Sequence, residues 1–152
     1  MSTPYKLDET NSWTVSGVRS AERFFGAISM LVPDATHMFL EGSAAPDIVA
    51  LLAPFSTNAD YGAPVGTLWS WPRDQRFSVS ASPVMLARLS EAAARHAEPE
   101  ICSHVHFYRD GEPLVHWFDA FIDPLLVSKA VSRDRLERFC AEVDGVLSNA
   151  AG

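Results

Sequence analysis

Apolar side chains recur along this chain with two different periods, and the switches between them outline its elements. Trp13, Thr14 and Val15 alternate as a short strand should. Ser20 is a capping residue, and behind it Phe24, Phe25, Ile28 and Leu31 recur at the spacing of a core-facing helical stripe. Pro33 and Asp34 end that helix, and residues 36–40 then read as a buried strand. Gly42 and Ser43 turn the chain, Pro46 suits a first helical turn, and Ile48, Leu51, Leu52 and Phe55 supply an inner face. From about residue 56 to 75 neither period holds, and Gly62, Pro64, Gly66 and Pro72 interrupt the chain.

Regular alternation returns at Arg76 and runs to Ser80. Ser82 and Pro83 then open a helix to about His96, with Glu91 and Arg95 spaced for an i,i+4 ion pair. Asp110 and Gly111 are hairpin-turn residues between two apolar–polar alternations, which predicts a β-hairpin over 101–121. Asp123 and Pro124 break its second strand, and residues 125–128 form another short one. Ser132 caps the last helix, whose apolar face is Leu136, Phe139, Cys140, Val143 and Leu147; Asp134, Arg138 and Glu142 step along its outer side.

Helices near 20–31, 44–55, 83–96 and 132–147 therefore alternate with single strands and one hairpin. That predicts a single α+β domain over 12–148, with helices packed on a mostly antiparallel sheet behind a flexible N-terminal arm of residues 1–11. No glycine-rich turn follows a strand, so a doubly wound parallel sheet fits less well.

Composition narrows the function more than it identifies it. The chain has 152 residues, is 47% hydrophobic and carries a net charge of −7. Both halves are acidic, with eight acids against five bases in 1–76 and eleven against seven in 77–152. No basic patch exists to follow a phosphate backbone, so nucleic acid is not an expected partner. The polar start lacks the apolar core of a signal peptide, and no apolar run approaches the ~20 residues of a membrane helix. The expected setting is the cytoplasm, without a membrane partner. Cys102 and Cys140 lie far apart in sequence and read as reduced thiols rather than a disulfide framework.

Chemistry concentrates in the hairpin. Cys102, His104 and His106 lie two apart, so an extended strand sends them to one face. A two-residue Asp110-Gly111 turn sets His104 across from Trp117 and Cys102 across from Asp119. A three-residue turn with a glycine bulge sets His104 across from His116 instead. His104, His106 and either His116 or Asp119, with Cys102 beside them, are ligand types for zinc or another divalent transition metal. Bound water there would be a nucleophile, with Tyr108 and Asp119 as helpers. A polar hairpin face also carries histidines with no such purpose, and no H-E-x-x-H motif is present.

The second unusual segment holds Trp69, Trp71, Arg73 and Arg76. Tryptophan beside arginine is the residue chemistry of interface anchors, although large aromatics also plug cores. Two functions follow. The first is a small acidic binding protein that contacts another, basic protein as an inhibitor, an immunity-type protein or an adaptor, with Trp69, Trp71, Arg73 and Arg76 at the contact and no cofactor. The second is a small metal-dependent or His/Cys enzyme sited on 102–119. A hairpin with an open edge would also allow a homodimer. No phosphate-binding loop, dinucleotide fingerprint, EF-hand loop or kinase signature occurs.

Overall fold

The computed structural model describes residues 7–8, 10–32, 36–43, 45–57 and 76–148. The described elements, in chain order, are β1 (Ser12–Ser16), α1 (Ala21–Ala27), β2 (His37–Glu41), α2 (Pro46–Leu52), β3 (Arg76–Ser80), α3 (Pro83–Ala93) and the single turn α4 (Glu98–Ile101). They continue with β4 (His104–Arg109), β5 (Glu112–Trp117), β6 (Leu125–Ser128), α5 (Arg133–Val143) and β7 (Val146–Ser148). Short 3₁₀ turns extend α1 over Ile28–Met30 and α2 over Ala53–Phe55.

The strands form one seven-stranded sheet in the order β3-β2-β4-β5-β6-β1-β7, and every pair is antiparallel. The fold is α+β. Each expected serine cap is made: the hydroxyl oxygens of Ser20, Ser82 and Ser132 accept the amide hydrogens of Arg23, Met85 and Arg135.

The core lies between the helices and one face of the sheet. Val105, Phe107, Val115 and Trp117 point into it from β4 and β5 and join Phe24, Leu89, Leu136 and Phe139. Phe24 is the hub, with its ring centroid 4.9 Å from Trp117 and 6.1 Å from Phe139.

Several boundaries differ from expectation. The last helix ends at Val143 rather than 147, because Asp144 turns left-handed (φ 55°) and the Asp144 and Gly145 amides both return to the Cys140 carbonyl. Leu147 then sits on β7 opposite Val15. Phe55, placed on the inner face of the second helix, is 57% exposed. Arg95 forms its ion pair with Asp47 on α2, and meets Glu91 only through the backbone carbonyl. The hairpin strands span 104–117 rather than 101–121, and the pair lies inside the sheet between β2 and β6. It therefore offers no open edge for a second copy. Most of the expected N-terminal arm, residues 1–6 and 9, lies outside the described residues; of the rest, Leu7 is buried and the Asp8 carboxylate accepts the Thr10 amide.

Candidate functional site

The register of the hairpin decides what its histidines meet. Asp110 and Gly111 both have positive φ (53° and 79°), as a two-residue type I′ turn requires, and Arg109 pairs with Glu112. The ladder then slips: Tyr108 pairs with Pro113, but Phe107 pairs with Val115, which leaves Leu114 as a bulge. Pro113 has no amide hydrogen to give the ladder, so the irregularity falls where a regular ladder is weakest. Neither expected pairing of His104 forms. His106 stands opposite His116, and Val105 opposite Trp117.

The slip puts His104, His106, Tyr108 and His116 on the sheet face away from the helices, and all four are buried. Each histidine has a ring nitrogen engaged by the protein. His104 Nδ1 accepts the Asp119 amide at 3.0 Å and His106 Nδ1 accepts the Trp117 amide at 3.2 Å. His116 Nε2 lies 2.9 Å from the Tyr108 hydroxyl. His106 stacks on Phe39 of β2 with the rings 7° from parallel. Burial, then the neighbouring His116 and His104, hold its pKa well below the ordinary histidine value. Its Nε2 is buried and has no hydrogen-bond partner among the described residues.

Cys102 is not on this face. It precedes β4 and packs within the helix-side core, 1% exposed, where burial pushes its thiol up to about 12. Asp119 lies beyond the end of β5, with an exposed side chain. Among the described residues, no three His, Cys, Asp or Glu side chains are grouped to hold a metal ion. Trp69, Trp71 and Arg73 lie outside the described residues. Arg76 opens β3, and its Nε meets the fully buried Glu41 carboxylate directly across the strand pair at 3.3 Å.

What the hairpin does build is the loop that follows it. Between β5 and β6, Asp119 and Phe121 hold positive φ (50° and 71°), a conformation aspartate adopts readily but one that is strained for phenylalanine. The surroundings hold them there. His104 takes the Asp119 amide, and the Ser103 carbonyl takes the Ala120 amide at 2.8 Å. The Asp119 carbonyl takes the Ile122 and Asp123 amides, while the Trp117 indole donates to the Asp123 carbonyl at 2.6 Å. Phe121 turns inward, its ring 4.7 Å from Trp117.

This frame leaves Ile122 76% exposed at the tip. Asp119 and Asp123 flank it, both exposed, with no ion pair among the described residues. The loop also divides two clefts. One, of about 320 Å³, contains Arg19, Glu98, Cys102, Ser103, Asp119 and Phe121 in its wall. The other, of about 420 Å³, lies on the histidine side and contains Leu7, Thr14, His116, Phe118, Asp123 and Leu126.

Sequence reasoning missed Ile122, Asp123, Arg19 and Ser103 as site residues. The Asp123-Pro124 break was visible, but nothing local announces a left-handed phenylalanine. Compared with family models, with curated proteins and with solved structures, the chain matches none. No helix among the described residues is long and apolar enough to cross a membrane.

Proposed function

We propose that this chain is a small acidic binding protein that acts by non-covalent contact with another, basic protein, in an inhibitory, immunity-type or adaptor role. One observation carries this reading: a backbone fixed by five hydrogen bonds, with a strained Phe121 held within it, presents Ile122 to solvent between two carboxylates. An exposed isoleucine is ordinary by itself. Here the protein holds an unfavourable backbone in place to display one. A loop already fixed in its binding shape loses little conformational entropy on contact. Ile122 suits an apolar pocket, and Asp119 and Asp123 suit basic groups at its rim, which would speed encounter and reject acidic surfaces.

Trp69, Trp71 and Arg73 join this proposal as anchors by residue type alone. Arg76 joins it less readily, since its guanidinium is held by Glu41. The alternative, a metal or His/Cys enzyme on 102–119, draws less support from a core thiol held protonated and from histidines bonded to backbone amides.

A photo-crosslinking residue at position 122 tests the reading in the producing cells. We expect one discrete adduct with a basic protein, and none when the same residue replaces exposed Arg88 on α3. Equal labelling from both positions would contradict it.

A further inference from the structure

The cleft on the helix side of the loop carries both signs of charge. Arg19, Glu98 and Asp119 all line it. No ion pair within 4.0 Å joins Arg19 to either carboxylate, although opposite charges on one small cleft would gain by closing on each other. Glu98 Oε2 accepts the Ala21 amide at 3.4 Å, which draws that carboxylate toward the start of α1. Asp119 is carried by the strained loop backbone.

Ser103 sits hard against Gly42, where an added Cβ would come within 2.4 Å of its Oγ; Gly42 itself has φ +88°. The serine is thus packed tightly over a residue that must stay glycine. Buried Cys102, Ala120 and Phe121 give the cleft an apolar wall. Its 320 Å³ is at the small end of the ~300–1,000 Å³ typical of ligand sites, which suits a metabolite and not a peptide.

We propose that this cleft binds a free α-amino acid with an apolar side chain. A simple anion would meet Arg19 but also two carboxylates; a simple amine would meet the carboxylates but also Arg19. A zwitterion gives each of the three a partner of opposite sign, its one ammonium shared between the two carboxylates. Its carboxylate pairs with the Arg19 guanidinium, a bidentate donor, and its ammonium with Glu98 and Asp119, with the Ser103 hydroxyl as a further partner. Its side chain lies against Phe121 and Ala120. No covalent step is involved: Cys102 is a wall, not a nucleophile. The inference does not rest on the protein-contact reading, although the two share Asp119, since it is tested on the chain alone with a small ligand.

The test is a titration of the full chain, followed by amide NMR shifts, with L-leucine, L-methionine and L-phenylalanine. Two half-charged analogues, 4-methylpentanoate and 3-methylbutylamine, serve as controls on the unmutated protein. We expect saturable binding of at least one amino acid, with shifts centred on Ser103 and residues 119–122. Both analogues should bind at least tenfold more weakly, and Arg19→Gln and Asp119→Asn should each weaken binding about tenfold, equivalent to ~1.4 kcal/mol. Asparagine tolerates the left-handed backbone at 119, and Arg19 is exposed, so both variants should fold. No saturable shift at millimolar amino acid would overturn the proposal, as would analogues that bind as well as the zwitterion, or full binding in Arg19→Gln.

Discussion

His106 accepts a backbone amide through Nδ1, so it is neutral in the fold with its proton on Nε2. Protonating Nδ1 would cost that bond and place a charge in a buried site beside two other histidines. Its folded pKa is therefore depressed while its unfolded value stays near 6.5. Above that pH both states are neutral and nothing is lost. Below it the unfolded chain takes up a proton that the native state refuses, so stability falls with pH by at most about 1.4 kcal/mol per unit for this one group. Urea midpoints at pH 7.5 and 5 should fall on acidification, and His106→Gln, whose carbonyl can still accept the Trp117 amide, should flatten the decline. The thiols offer a second check. Burial raises Cys102 to about 12, and burial followed by Glu137 raises Cys140. Neither should react with a disulfide reagent at pH 8 in the native protein, and both should after denaturation. That His104 and His106 share a face was readable from their spacing. That their partners are the amides of Asp119 and Trp117 was not, because those bonds exist only once Leu114 bulges.

The caps were the most readable parts of the elements, since each needs only a serine ahead of an apolar stripe. Ser20→Ala should cost about 1 kcal/mol by removing the acceptor for the Arg23 amide, measured as a shift in the unfolding midpoint. Gly111 tests the turn in isolation. An added Cβ there meets nothing within 4 Å, so Gly111→Ala should lose roughly 1–2 kcal/mol through its positive φ alone. The misread end of α5 has an equally local cause. Leu147 falls four residues after Val143, which suits a helix, yet it also alternates within β7. The Asp144-Gly145 stop signal outweighed the period: Asp144 adopts the left-handed region, and a side chain on Gly145 would come within 2.8 Å of Val15. The 118–124 loop was the least readable element. Its shape depends on His104, Ser103 and Trp117, which come from the other hairpin strand, the residue before it and the end of β5.

Sheet order lies further still from local sequence. Composition and alternating elements give α+β, but β1 between β6 and β7, and the hairpin at the centre of the sheet, follow from pairings over a hundred residues apart in places. The central position has a structural consequence. It removes the hairpin as an edge for self-association and makes it the frame for the loop that leaves it. Charge acts over the same distances: the net −7 gives the whole molecule a field that would favour encounter with a basic surface, while contact would depend on the loop. The most direct measurement is quantitative affinity purification of the wild-type chain and Ile122→Asp from the producing cells, at equal expression and with matched unfolding midpoints. We predict one basic protein at near-equal stoichiometry with the wild type, reduced at least tenfold with Ile122→Asp. The same proteins recovered in equal amounts from both would contradict a binding role for the loop.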